Sequence, residues 1–227
     1  MNTGAQDREE HLRADLKFFG RIMANVSHEF NNVITIIGEL SGLLQDLAGL
    51  AERGRPLPVE KLEQVTAKIN LHTVRGKELI SHMNRFSHGV DEEVHSLDLR
   101  ESIDNLSVLT HRLLERREAT LAFTAPESKV PITCDPFLVQ RALFCSWELA
   151  MDADAPSPAL ELVIRPEHNS VDILVSSVSG GEGITSREEW RELSVMAGRL
   201  GGRVTVDRID DGFTIRISLP AHLDAGT

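Results

Sequence analysis

The stretch from Leu12 to Leu47, LRADLKFFGRIMANVSHEFNNVITIIGELSGLLQDL, decides the fold of this chain. Apolar residues recur along it in alternating steps of four and three, which is the pattern of a long helix that packs on other helices. The row, which we call the seam, consists of Leu12, Leu16, Phe19, Met23, Val26, Phe30, Val33, Ile37, Leu40, Leu44 and Leu47. The seam predicts one helix from about Gln6 to about Ala51.

One histidine of this helix, His28, falls on the side opposite the seam. The same outward stripe holds Arg21, Asn25, Asn32, Thr35 and Glu39. A second apolar row flanks the seam at seven-residue spacing and consists of Ile22, Ile36, Leu43 and Leu50. Glu29 takes the place midway between Ile22 and Ile36, so a carboxylate interrupts an apolar row beside an exposed imidazole. Two apolar rows instead of one favour a four-helix bundle.

A second helix should fold back on the first. Gly54, Pro56 and Pro58 end the first helix because they lower helical propensity, and the prolines also lack a backbone donor. The heptad pattern then restarts as Leu62, Val65, Ile69, His72, Gly76, Leu79, Met83, Phe86 and Val90. We expect His72 to pack in the core of this hairpin. Because one hairpin leaves two apolar rows uncovered, the pattern predicts a homodimer with a four-helix bundle.

From about Leu97 the pattern changes to alternating strands and helices. Helices are predicted at 100–116, 136–151 and 187–200, and strands at 120–124, 130–134, 159–165, 171–178, 203–207 and 213–219. The fold class is therefore α+β, with helices layered over a mixed or antiparallel sheet. We predict two domains, a helical hairpin over residues 1–92 and an α/β sandwich over 97–221, joined by the charged linker Asp91-Glu92-Glu93.

Composition excludes several classes of function. The formal net charge is -11 with no Lys/Arg-rich run, so we expect no nucleic acid partner. Cys134 and Cys145 lie close together in a chain without a signal-like segment, which indicates reduced core thiols and a cytoplasmic location. No stretch is expected to approach the roughly 18 apolar residues that cross a membrane. The nine histidines show no metal-ligand spacing, so no metal is expected.

The segment Ser27-His28-Glu29-Phe30-Asn31-Asn32 resembles the phospho-acceptor motif of two-component sensor histidine kinases, and the resemblance covers about residues 16–220. It implies that His28 carries the phosphoryl group, that Glu29 acts as a base, and that a response-regulator receiver domain is the partner. A free imidazole titrates near about pH 6.5, so a neutral ring nitrogen can act as nucleophile while a carboxylate bound to the other nitrogen fixes the tautomer. The spacing of Asn32 after Glu29 resembles that of family members that dephosphorylate their partners. Val33 stands where the family often has a proline, which removes a hinge.

The remainder of the chain resembles the ATP-binding domain of these kinases but departs from it in three places. Residues 135–153 resemble the helix whose asparagines hold Mg²⁺, yet Cys145 and Leu149 occupy those positions, and neither is a hard oxygen ligand. Residues 175–184 resemble the adenine-reading strand and glycine box, including Gly181 and Gly183, with Ser179 in the place of the aspartate. Only eight residues, 185–192, replace the nucleotide lid. The resemblance therefore implies no productive ATP binding and no cofactor.

Three functions remain open at this point. The first is a dimeric histidine phosphotransferase in which His28 relays phosphoryl groups between receiver domains, with an upstream hybrid kinase as a further candidate partner. The second is an active sensor kinase with a divergent ATP site. The third is a response-regulator phosphatase or a non-catalytic regulator, in which Asn32 would orient a water molecule.

Overall fold

The computed structural model describes residues 3–91, 94–152 and 158–222, with side chains described from Glu9 onward. Two residues of the predicted linker, Glu92 and Glu93, lie outside these ranges. So does Ala153, the last residue of the segment that resembles the kinase helix. The chain begins with two long helices, α1 at Thr3–Glu52 and α2 at Val59–His88. The predicted helical hairpin is confirmed.

The register of the hairpin is set where a glycine of α2 meets α1. A Cβ atom on Gly76 would lie 3.2 Å from Cγ1 of Val33, so the missing side chain lets the two helices approach closely. Val26, Val33 and Leu47 of the seam are buried, as the heptad pattern predicts. The first two seam residues behave differently in this single chain, because Leu12 and Leu16 are 59% and 62% exposed.

Within the described ranges, the C-terminal part, which we call the sheet domain, contains seven strands, three α-helices and a short 3₁₀ helix. The elements are β1 at His95–Asp98, α3 at Leu99–Arg116, β2 at Thr120–Thr124, β3 at Pro131–Cys134, α4 at Pro136–Met151, β4 at Ala159–Pro166, β5 at Ser170–Ser177, a 3₁₀ turn at Ile184–Ser186, α5 at Glu188–Arg199, β6 at Arg203–Ile209 and β7 at Gly212–Pro220. Strand β1 and the 3₁₀ turn were not predicted. Aspartates cap two of the helices, since Asp98 accepts from Arg100 N at 3.1 Å and Asp135 accepts from Leu138 N at 2.9 Å.

The main sheet has five strands in the order β2-β4-β5-β7-β6. Strand β2 runs parallel to β4 and the other neighbours are antiparallel, so the sheet is mixed. Strands β1 and β3 form a separate antiparallel pair. Helices α3, α4 and α5 cover the apolar face of the large sheet. The α+β prediction is confirmed, with the sheet in the mixed form.

An aromatic cluster joins α1 to the sheet domain. Phe18 is 4% exposed, and its ring lies 5.7 Å from that of Phe86, 5.4 Å from that of Phe137 and 5.3 Å from that of Phe144. These contacts bring α2 and α4 together on one face of α1. The junction is therefore a continuation of the hydrophobic core.

Ion pairs surround this aromatic cluster. The buried Arg141 of α4 contacts Asp15 of α1 at 2.6 Å and Glu192 of α5 at 3.3 Å. Arg21 forms a two-pronged ion pair with Glu148, and its guanidinium lies 4.9 Å from the centre of the Phe144 ring. The C-terminal domain is thus fixed to α1 in the turns that precede His28.

This docking corrects two assignments made from the heptad pattern. Asn25 was expected on the solvent-facing stripe, but it is 8% exposed and donates a hydrogen bond to the carbonyl of Leu109 in α3. Ile22, expected in an uncovered apolar row, is completely buried. Helix periodicity predicts which residues share a face, but it does not show which faces a second domain covers.

A further correction concerns the apolar length of α1. By length and composition alone, the region Glu9–Glu52 is long and apolar enough to cross a membrane. Its most apolar window has a mean hydropathy of 1.4, and 11% of that window is buried inside the structure. No such stretch was expected from the sequence. An amphipathic helix whose apolar rows pack against other helices can meet the same criterion, so the finding does not by itself indicate a membrane span.

Candidate functional site

His28 is exposed on the surface of α1. Within the described parts of the chain, no group forms a hydrogen bond or an ion pair with its ring. The preceding turns are covered by α3 and α4, so the ring lies just beyond the edge of the sheet domain. The His28 side chain is therefore open to solvent on the side of α1 that the sheet domain leaves uncovered.

The carboxylate next in sequence is engaged elsewhere. Glu29 forms an ion pair with Arg75 of α2, and the side chains are 20% and 53% exposed. Successive residues of a helix point about 100° apart, so Glu29 faces α2 while His28 faces outward. The structure therefore does not bring the predicted base into contact with the predicted nucleophile. Sequence reasoning did not single out Arg75, because its position depends on the register between two helices.

Asn32 lies one turn after His28 and is exposed on the same side of α1. Val33, in the position where related motifs often carry proline, is 3% exposed against Gly76. Helix α1 continues through this position without a break. The segment 27–32 thus lies on an uninterrupted helix, as the valine predicts.

A cleft of about 330 Å³ opens beside Glu29 between α1, α2 and α3. Its lining residues are Asn25, Glu29, Arg75, Glu78, Leu79, His82, Ser107, Val108, His111 and Arg112. The ring of His82 donates through Nδ1 to Oδ1 of Asn105 at 2.8 Å, which sets its orientation. Charged groups of the hairpin and of the sheet domain therefore face the same space next to the segment 27–32.

Exposed apolar side chains lie on the hairpin just below His28. Ile34 of α1 is 53% exposed, and Leu71 and Val74 of α2 are 65% and 52% exposed. The contact between Gly76 and Val33 places these side chains at about the same level of the hairpin. Exposed apolar groups are typical of a surface that binds another protein when they form one contiguous patch.

The positions that resemble magnesium ligands are closed to ligands. Cys145 and Leu149 of α4 are 8% and 1% exposed. The thiol of Cys145 donates to the carbonyl of Glu189 at 3.3 Å, so the start of α5 lies directly over this face of α4. Burial raises the pKa of the Cys145 thiol to about 12, which keeps it protonated near neutral pH. In this arrangement neither side chain is available to contact a bound metal or phosphate group.

The glycine box is also filled from within the chain. Gly181 has φ +88°, and a Cβ atom there would lie 2.4 Å from Cδ1 of Phe213. Gly183 also has a positive φ, +66°, and precedes the 3₁₀ turn, while the carbonyl of Ser179 accepts a hydrogen bond from Ser177 at 3.2 Å. The loop that contains Gly181 therefore packs against Phe213 of strand β7. Among the described residues, no cluster of three or more metal-ligating side chains is found.

No protein-family model and no curated protein sequence matches this chain. Solved structures do match. The catalytic domain of the histidine kinase ThkA superposes with a TM-score of 0.53 and 15% identity, over 59% of this chain and 100% of that domain. A histidine kinase from Burkholderia phymatum STM815 superposes with a TM-score of 0.50 and 12% identity, over 87% of this chain and 98% of that protein.

A third structure, ThkA in complex with the response regulator protein TrrA, has a TM-score of 0.48 and 18% identity, over 97% of this chain and 66% of that one. At these identities, the two matches with TM-scores of 0.50 and above show the fold alone. The chain therefore has the fold of histidine kinases, with a helical hairpin followed by a domain of the ATP-binding type.

Proposed function

We propose that this chain is a dimeric histidine phosphotransferase of two-component signalling, in which His28 relays phosphoryl groups between response-regulator receiver domains without using ATP. One contrast carries the proposal. The histidine is exposed with a free ring, whereas the positions of the nucleotide site are buried at Cys145 and Leu149. A receiver domain can reach the exposed histidine, whereas ATP cannot contact the buried Cys145 and Leu149 at the two positions that resemble magnesium ligands.

The chemistry is a displacement at phosphorus. An unprotonated nitrogen of His28 attacks the aspartyl phosphate of a receiver, so that the N–P bond forms as the acyl O–P bond breaks and the aspartate leaves as a carboxylate. The proton on the other ring nitrogen passes to water or to a carboxylate. The reverse step delivers the phosphoryl group to a second receiver. An upstream hybrid kinase is the proposed source of the first phosphoryl group.

Receiver docking is proposed on the hairpin below His28. The exposed Ile34, Leu71 and Val74 would be covered by the apolar surface of the receiver, and burial of such groups stabilises association. A charge at Leu71 should weaken binding without unfolding the chain. Leu71→Lys is therefore expected to raise the Kd for a receiver at least tenfold, whereas Ile209→Lys, at a position 58% exposed on β6, should leave it unchanged.

The phosphotransfer assay tests the proposal directly. The purified chain is mixed with a receiver domain carrying labelled aspartyl phosphate, and acid-labile label is followed on the chain. Label is expected on the wild type and on His88→Ala, which removes a histidine whose side chain is 79% exposed, and not on His28→Ala. Label that persists on His28→Ala would refute the assignment of the phospho-acceptor.

The alternative of an active kinase makes the opposite prediction for ATP. The closed face around Cys145 and Leu149 predicts no nucleotide binding at millimolar concentration and no self-labelling with Mg²⁺ and labelled ATP. Restoring asparagine at both positions should not restore binding, since α5 still covers the site. Self-labelling of the wild-type chain would favour the kinase.

The homodimer and the cytoplasmic location are part of the same proposal. Leu12 and Leu16 continue the seam, yet they are 59% and 62% exposed in a single chain, and a second copy would cover them. Pairing of the two hairpins would also shelter the apolar length of α1. Sedimentation equilibrium should give twice the monomer mass for the wild type and monomer for Leu12→Lys/Leu16→Lys, with Ile209→Lys as control. A monomeric wild type would contradict the dimer.

A second candidate activity is dephosphorylation of the partner. It is favoured by Asn32, whose exposed amide lies one turn from His28 and could orient a water molecule toward an aspartyl phosphate. Asn32→Ala should then slow loss of phosphate from the receiver while sparing transfer to His28. Equal effects on the two reactions would count against this activity.

A further inference from the structure

We infer that Arg75 is a positioning residue for phosphotransfer: by pairing with Glu29, it cancels the negative charge next to His28 and leaves the imidazole free of its neighbour. The inference rests on the proposed function for its catalytic meaning. The effect of Arg75 on the charge around His28 does not depend on that function.

The first observation is the geometry of the pair. Nη2 of Arg75 contacts Oε1 of Glu29 across the α1–α2 interface. The close approach of the helices at Gly76, the next residue of α2, brings Arg75 within reach of α1. The Glu29 side chain is 20% exposed, so solvent screens its charge less than it would screen a fully exposed carboxylate.

The second observation is the set of groups that face Glu29. Arg75, Glu78 and His82 reach the cleft from α2, and His111 and Arg112 reach it from α3. Of these groups, Arg75 is the one that contacts the Glu29 carboxylate within the described residues. His82 is directed to Asn105 and His111 to Glu115, so neither replaces Arg75 as the partner.

The Arg75–Glu29 ion pair affects the approach of the phosphoryl group to His28. Three negatively charged or strongly polar oxygens arrive with the phosphoryl group, and an uncompensated carboxylate beside His28 would repel them. The same carboxylate would favour the protonated imidazole, which cannot attack phosphorus. An Arg75–Glu29 pair suppresses both effects.

The test separates this role from a structural one. In Arg75→Gln, the pH midpoint of the His28 ring resonances, followed by NMR without any receiver, should rise by about half a pH unit, since the loss of one nearby, partly exposed positive charge changes the free energy of imidazole protonation by under about 1 kcal/mol. Arg75→Lys should restore most of the wild-type value. Lys77→Gln removes a charge from the opposite side of α2 and should change nothing.

The double variant Glu29→Gln/Arg75→Gln provides the decisive comparison. If Arg75 acts by cancelling the charge of Glu29, the double variant should titrate within about 0.2 of a unit of the wild type, because both charges are then absent, whereas Glu29→Gln alone should titrate below the wild type. The pH profile for label transfer to His28 should move with the NMR midpoint, so Arg75→Gln should lose up to about threefold in rate near neutral pH and recover at higher pH. Unchanged midpoints in Arg75→Gln would overturn the inference even if His28 accepts phosphate. A wild type that takes no label would refute the proposed function, and the charge balance at Arg75 would then stand or fall by the NMR midpoints alone.

Discussion

The aromatic junction between α1 and the sheet domain gives the sharpest test of the architecture. Phe18 is 4% exposed and its ring lies within 6 Å of three other phenylalanine rings, at 5.7, 5.4 and 5.3 Å. Truncation of a buried phenylalanine to alanine costs about 3–5 kcal/mol, because apolar contact is lost and a cavity remains. Phe18→Ala is expected to fall in this range, and Phe18→Leu should lose about 1–2 kcal/mol because it fills part of the space.

The assay is urea unfolding followed by circular dichroism, at one protein concentration for all variants so that association does not alter the comparison. Ile34→Ala serves as the matched control, since this side chain is 53% exposed and its loss should cost less than about 0.5 kcal/mol. A cost below about 1 kcal/mol for Phe18→Ala would refute the junction, because the ring would then not be buried against α2 and α4 in solution.

Three further predictions concern the interior. Gly181→Ala should destabilise the chain by about 1–3 kcal/mol in urea unfolding, since φ is +88° and the new methyl would meet Phe213, whereas Gly183→Ala should cost about 1 kcal/mol because nothing lies within 4 Å of its Cβ. Equal losses would contradict the packed loop. Arg21→Gln and Glu148→Gln should show a coupling of about 0.5–1 kcal/mol in a double-mutant cycle, and full additivity would mean that the pair is not formed. Burial raises the pKa of both thiols, Cys134 and Cys145, from 9.0 to about 12. The folded chain therefore holds the two thiol protons more tightly than the unfolded chain does. The contribution to the free energy of unfolding is fully present below about pH 9 and should fall as the pH rises toward 12, by about 1 kcal/mol per thiol at pH 10. A Cys134→Ala/Cys145→Ala variant should lose less stability than the wild type between pH 7 and 10, and parallel curves would show that the thiols are accessible.

Much of this fold could be predicted from local patterns. The heptad rows and the residues Gly54, Pro56 and Pro58 place both long helices within three residues of their observed ends. Strand β1 escaped prediction because its four residues are stabilised by β3, whose partner residue Cys134 is far along the chain from His95. Such pairing leaves little signal in the sequence of the strand itself.

The candidate site could be predicted only where it depends on local sequence, and not where it depends on contacts between distant segments. The position of His28 follows from one helix, and the structure finds it exposed as expected. The burial of Asn25 and the pairing of Glu29 depend on α3 and α2, which the periodicity of α1 cannot report. Arg75 could have been found only by aligning the two helices at Gly76, where the absence of a side chain marks their closest approach.

The unbroken course of α1 has a mechanical consequence. Its 50 residues form a rod about 75 Å long, with the valine at position 33 in place of a helix-bending residue. Asp15, Phe18 and Arg21 attach the sheet domain to the same rod that displays His28. A twist applied at the first turns of α1 would therefore rotate the His28 imidazole and the sheet domain together. The distance between His28 and the sheet domain would stay the same during such a rotation.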